Sequence, residues 1–290
     1  METEKKAGPA TAFWLPSARD FRYPRCMRIP GMLRPMAGGE KKMARTYMIL
    51  AAAVLLAGGC AVPQDQDTPV LQRREIDPVS GRAYWIYVPS NYTHSRPWPV
   101  IVTCHGTPPY DVAEHHIREW KKLGEQNGCI IVAPELTATD GIFGDGPIVG
   151  MLDDERFILS ILSLLGYRRT IDRSNIMITG FSGGGFPMYW VGLRNPSIFS
   201  CVVARSCNFS EHNLDGWYPP EAALSQSVMV YVGERDLGAI TAQTDAAIAY
   251  LRSKGFQVET KVIPNISHER VPENAMDFFR RHMRPPVAVR

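Results

Sequence analysis

No uncharged apolar run in this 290-residue chain approaches the about 20 residues of a bilayer-spanning helix. The longest, residues 47–59, has 13. That excludes a polytopic membrane protein and fits the hydrophobic region of a secretory signal. The six cysteines contain no C-x-x-C pair, so zinc-ribbon and thioredoxin-type spacings are missing. No other motif asks for a metal or cofactor, and none is expected. There is no internal repeat, and an apolar content of 45% excludes a disordered chain. Excess positive charge is missing from most of the chain. Residues 1–42 hold nine Lys/Arg against four Asp/Glu, whereas residues 43–290 hold 23 against 25. The bulk of the chain therefore supplies no basic face for nucleic acid, and no such partner is expected.

What is present begins with an export signal. Lys41, Lys42 and Arg45 form a basic region before the apolar run, and small residues lead into Cys60. Leu56-Ala57-Gly58-Gly59-Cys60 resembles a bacterial lipoprotein lipobox, with Ala57 where that family usually has Leu. The resemblance implies cleavage before Cys60, diacylation of its thiol, and a periplasmic or cell-surface protein held to the membrane by this lipid alone. An ordinary secretory signal with a chance cysteine is the alternative. Residues 1–42 show no helix or strand period, and the position of the signal puts the translation start at Met36 or Met43. The expected organisation is a leader at 1–42, a signal peptide at 43–60, a polar tether at 61–72 and one catalytic domain at 73–290.

From there strand and helix patterns alternate. Strands are expected at Tyr84–Val88, Val100–Cys104, Cys129–Ala133, Asn175–Thr179, Val202–Ala204, Val228–Val232 and 257–263. Helices are expected at 112–126, 153–166, 183–194, 237–253 and 272–283. Continuous apolar strands alternating with helices describe an α/β domain with a parallel sheet covered on both faces. Cys104, Cys129, Cys201 and Cys207 fall in this domain, and export would permit disulfides among them. A Cys104–Cys129 bridge is disfavoured, because one ends a parallel strand and the other begins one.

The strongest chemical signal is Gly180-Phe181-Ser182-Gly183-Gly184, between an expected strand and an expected helix. A sharp strand-to-helix turn exposes a Ser hydroxyl as a nucleophile, and flanking glycines avoid collision there. The Gly183 N–H would then face a developing oxyanion. A base and an acid should follow in the order Ser, Asp, His. Asp236 follows the strand Val228–Val232, and His268 follows the last strand, so both lie at strand C-termini, where open α/β sheets bind ligands. Glu234 is the alternative acid. The second oxyanion donor is expected from Cys104-His105-Gly106-Thr107-Pro108-Pro109, with the Thr107 N–H preferred and Gly106 as the alternative. His105 precedes the Ser and is assigned to holding that loop through a ring N–H. His115, His116 and His282 lie on expected helices and are read as surface or structural. Phe209, Trp217 and Tyr218 lie between strand and acid, where they would form a lid or acyl-pocket wall, or simply pack over the sheet rim.

Together the His105-Gly106 loop, the Ser182 pentapeptide, Asp236 and His268 resemble an α/β-hydrolase. Asp154-Glu155-Arg156-Phe157-Ile158 and Ile171 through Gly180 are similar to the poly(3-hydroxybutyrate) depolymerase and feruloyl-esterase-like group. The resemblance implies a mostly parallel eight-stranded sheet with helices on both faces, and ester hydrolysis by a Ser-His-Asp triad. The substrate would be a small-molecule or polysaccharide-linked ester. Ser267 and Glu269-Arg270 depart from that group around the His, so the substrate class is left open. A serine peptidase of the prolyl-oligopeptidase type is the competing enzyme; that group carries an additional gating domain. A non-catalytic binding module on a hydrolase scaffold is the competing non-enzyme.

Overall fold

The computed structural model describes residues 72–139 and 148–285. The expected leader, the signal with Cys60, and tether positions 61–71 lie outside the described residues. Among those residues no helix is long and apolar enough to cross a membrane.

The elements are β1 (Arg73–Ile76), β2 (Ala83–Tyr87), β3 (Trp98–Cys104), α1 (Ala113–Asn127), β4 (Ile130–Pro134), α2 (Ile148–Arg168), β5 (Ile171–Ser182) and α3 (Gly185–Arg194). They continue with β6 (Cys201–Cys207), 3-10 turns at Glu211–Leu214 and Glu221–Ser225, β7 (Ser227–Gly233), α4 (Gly238–Ser253), β8 (Val258–Ile263) and α5 (Pro272–His282). The strands form one eight-stranded sheet in the order β1-β2-β4-β3-β5-β6-β7-β8. Pairings β1–β2 and β2–β4 are antiparallel, and the rest are parallel.

The apolar runs in the sequence follow from burial on both faces. Along β3, Val100, Val102 and Cys104 join the core beneath α2, α3 and α4, while Ile101 joins the core beneath α1 and α5. Along β6, Val202 and Ala204 face the first core and Cys201 and Val203 the second. Each large apolar side chain so enclosed contributes on the order of 1.5–3 kcal/mol. Helix ends follow their local chemistry. Gly128 closes α1 at φ 63° and donates its N–H to Gly124 O, and Pro272 starts α5, where a missing N–H costs nothing.

The helix expected at 153–166 runs from Ile148 to Arg168, β3 starts at Trp98, and β6 runs to Cys207; two further strands also differ from expectation. β5 begins at Ile171 rather than Asn175, because Ile171 pairs with Trp98 before a register shift in β3. β1 was not anticipated: Arg-Arg-Glu-Ile is short, charged and only half covered, and it is a strand because it pairs with β2. All four cysteines of the domain are free, buried thiols. Burial raises their pKa, to about 12 for Cys129, Cys201 and Cys207.

Candidate active site

Ser182 ends β5 with φ 50°, a left-handed conformation that costs about 1–3 kcal/mol for a non-glycine residue. The turn behind it is closed by Gly184 N–H donating to Phe181 O (2.9 Å), and α3 starts at once. A Cβ on Gly180 would lie 2.6 Å from Gly184 O, so the first glycine of the pentapeptide is a packing requirement. The strain is held by neighbours, since Asn208 N–H donates to Ser182 O (2.9 Å) beyond a bulge against β6.

Asp236 and His268 come from the loops after β7 and β8, and the structure brings them together. His268 Nδ1 donates to Asp236 Oδ1 at 2.8 Å, which leaves Nε2 as the acceptor. The loops are joined through backbone as well, with Arg235 N–H donating to Ile266 O (2.8 Å). The His268 ring also stacks on Phe181, with centroids 4.7 Å apart. The Asp236 side chain is fully shielded and its Oδ1 accepts a second bond from Leu237 N–H (2.7 Å). Burial alone would raise its pKa, but hydrogen bonding from His268, the nearby Ser206 hydroxyl and the His268 charge bring it below the usual carboxylate value. Its Oδ2 is buried without a hydrogen bond of good geometry among the described residues. Glu234, the alternative acid, instead accepts Asn265 N–H at 2.8 Å.

Ser182 and His268 line the same cavity of about 740 Å³, together with Thr107, Tyr110, Phe181 and Leu237. The Gly106 backbone passes so near that a methyl there would lie 3.1 Å from Ser182 Cβ. Gly106 N–H donates to Asp111 Oδ2 (2.7 Å), which removes it as an oxyanion donor. His105 Nε2 accepts Leu136 N–H (2.9 Å), so its Nδ1 carries the proton that bonds Gly106 O (2.7 Å). Burial lowers its pKa, in keeping with a neutral ring that braces the loop.

Phe209, Trp217 and Tyr218 do not line this cavity. Phe209 is buried between Tyr189 and Tyr250, Trp217 stacks on Phe256, and Tyr218 is exposed beside Lys254. Phe209 and Trp217 are thus packed against neighbouring rings, whereas Tyr218 faces solvent. The apolar walls beside Ser182 are Tyr110, on the loop before α1, and Leu237, at the N-cap of α4, both largely exposed. His116 is wholly buried, bonded to Asp111 and Thr103. Among the described residues no group of three or more His, Cys, Asp or Glu is placed to hold a metal ion.

No family model matches the chain. Its sequence is similar to dipeptidyl-peptidase 5 of Porphyromonas endodontalis, 22% identical over 241 residues, which are 69% of this chain and 34% of that protein. The chain thus spans about a third of the length of the curated relatives it matches. In structure it is similar to the S-formylglutathione hydrolase FrmB of Staphylococcus aureus, with TM-score 0.55 and 13% identity, over 73% of this chain and 98% of that one. It is also similar to a ferulic acid esterase from Anaeromyces mucronatus in complex with ferulic acid, with TM-score 0.56 and 15% identity, over 73% of this chain and 88% of that one. At these identities the likeness establishes architecture, and with the sheet described above it shows that this chain has the α/β-hydrolase fold.

Proposed function

We propose that the chain is a serine hydrolase that cleaves carboxylic esters through an acyl-enzyme. The observation that carries this reading is a strained, cavity-facing Ser182 beside an imidazole whose other nitrogen is bonded to a shielded carboxylate. His268 Nε2 takes the Ser182 proton as Oγ attacks the acyl carbon, and Asp236 holds the ring and offsets the imidazolium charge. The Thr107 and Gly183 N–H groups receive the oxyanion; neither donates to another described residue, whereas Gly106 N–H is occupied. His268 then protonates the leaving alcohol, and water repeats the cycle on the acyl group.

The Tyr110 and Leu237 walls suit an acyl or alcohol group with an apolar face, such as an aromatic ester joined to a polysaccharide. The likeness to an esterase crystallised with ferulic acid supports it. The second reading, a peptidase, is favoured by the sequence similarity to dipeptidyl-peptidase 5. We further propose export and anchoring through a diacylated Cys60, on the lipobox-like residues alone.

The test is reaction of the purified protein with an alkyl fluorophosphonate. The wild type labels at Ser182 and Ser182→Ala does not; an unlabelled wild type refutes the enzyme and leaves a binding module. Turnover of p-nitrophenyl acetate, butyrate and feruloyl esters, set against Pro-containing amides, separates esterase from peptidase. Incorporation of labelled palmitate into the wild type and not into Cys60→Ala tests the anchor.

A further inference from the structure

Arg270, two residues beyond His268, is left unused by the proposed chemistry although it lines the same cavity. Two of its guanidinium nitrogens are engaged by protein. Nη1 donates to Asp111 Oδ1 (2.6 Å), and Nε pairs with Glu119 Oε2 (2.6 Å). Asp111 is the residue whose other oxygen holds Gly106 N–H in the oxyanion loop and accepts from buried His116 Nε2, each at 2.7 Å. Asp111 is thus a two-sided carboxylate, gripping the oxyanion loop with one oxygen and the His268 loop with the other. Its pKa lies well below the usual range: burial opposes the charge, but the His116 bond, Gly106 N–H and Arg270 outweigh it.

The second arm of the clamp runs through the core. Glu119 Oε1 accepts from Arg205 Nη1 (2.7 Å), and the same Nη1 donates to Arg270 O (3.0 Å). One residue on, Val271 sits at φ 34°, a costly conformation for a β-branched residue, and Tyr231 Oη–H donates to its carbonyl at 2.6 Å. Side chain and backbone of residues 270–271 are therefore tied down at several points, and the strained turn persists because those ties over-determine it.

We infer that Arg270 is a positioning residue: the bidentate Arg270–Asp111/Glu119 clamp fixes the distance between the base His268 and the oxyanion donor Thr107. The inference rests on the hydrolase reading above. With Nη1 and Nε already held by two carboxylates, Arg270 serves the clamp, and its loss acts on turnover rather than on binding. Misplacement of a reacting group by about 1 Å costs on the order of 100-fold in rate.

The test uses the full chain with p-nitrophenyl acetate. Arg270→Gln lowers kcat by about 10- to 100-fold with KM within about twofold. Arg270→Lys, which reaches one carboxylate, recovers part of the loss, and millimolar guanidinium ion restores turnover to Arg270→Ala. Asp111→Asn produces a comparable loss, and the double variant loses no more than the worse single one, as expected for residues acting through one contact. A raised KM at unchanged kcat makes Arg270 a substrate contact and overturns the inference. So do multiplied losses in the double variant, or wild-type kcat in Arg270→Gln. Should Arg270→Gln fail to fold by near-ultraviolet circular dichroism, the Lys variant and guanidinium rescue decide the question. Absence of fluorophosphonate labelling in the wild type brings down the hydrolase reading and this inference together. A labelled wild type with an unaffected Arg270→Gln brings down this inference alone.

Discussion

Substituting Gly184 by alanine adds one methyl group at the seam between the nucleophile turn and the oxyanion loop. Its Cβ would lie 2.4 Å from His105 O and 2.5 Å from Cys104 O. Both are backbone atoms of a strand end held in the middle of the sheet, so neither swings away as a side chain would. Each contact is about 1 Å short of an ordinary van der Waals separation, so the seam must open by most of that distance. Two costs follow. Overpacking lowers stability by about 1–3 kcal/mol. The opening also separates Ser182 from the Thr107 N–H, and a displacement near 1 Å lowers kcat on the order of 100-fold, or about 2.7 kcal/mol of activation free energy. The control is Gly238→Ala at the start of α4, where an added Cβ meets nothing within 4 Å. That variant should keep wild-type turnover and melt no lower, since alanine is the better helix former. Steady-state hydrolysis of p-nitrophenyl acetate and thermal melting of both variants provide the measurement. Gly184→Ala with kcat within threefold of wild type would refute the steric account of the turn.

Other expected outcomes follow from the same contacts. Asp236→Asn should lower kcat by about 10³- to 10⁴-fold, because the amide no longer selects the Nδ1–H tautomer of His268; a loss under tenfold in stopped-assay kinetics contradicts the assigned acid. Arg205 is wholly buried and donates to Thr179, Glu119, Arg270 O, Thr103 and His116, so Arg205→Met takes a donor from Glu119 Oε1 and from the Arg270 carbonyl at once, although Arg270 still pairs with the other Glu119 oxygen. Removing one partner of a buried pair costs about 3–5 kcal/mol, and a urea-denaturation difference below about 1 kcal/mol would show the network to be dispensable. Stability should also fall on acidification in two stages. Burial lowers the pKa of His105 and His116, so the unfolded chain binds their protons first as pH drops below about 6.5. Asp111 and Asp236 have depressed folded values, so their contribution is complete above about pH 4 and is lost below it. Unfolding free energies that stay flat from pH 7 to pH 4 would contradict the buried neutral imidazoles.

The layered fold was legible in the sequence, and so were the candidate positions Ser182, Asp236 and His268, because each left a local trace. Doubly buried strands read as apolar runs, the nucleophile turn as clustered glycines, and the acid and base as polar residues just past strand ends. The ionic network left no such trace. Arg205 interrupts Val-Val-Ala, so the sequence reading stops that strand at Ala204, whereas β6 continues to Cys207. The charge is tolerated there only because acceptors from residues 103, 116, 119, 179 and 270 converge on it, and sequence spacing does not reveal convergence. Glu269-Arg270 likewise reads as a mere departure from a resembled motif until Asp111 is seen opposite. Phe209 and Trp217 carry the same composition signal whether they wall a pocket or fill a core, and only packing separates the two.

Ser182 and His268 do not enjoy equal shelter. Ser182 ends a strand at the centre of the sheet, whereas His268 follows β8, an outer strand paired on one side only and mostly open to solvent. Outer strands of this kind open at a lower free energy than the whole domain unfolds. Peeling of β8 would carry the imidazole away from an otherwise intact Ser182, leaving a folded protein that has gone silent. Heat inactivation should therefore begin below the melting transition and reverse on cooling, as though the sheet carried a resettable fuse at its rim.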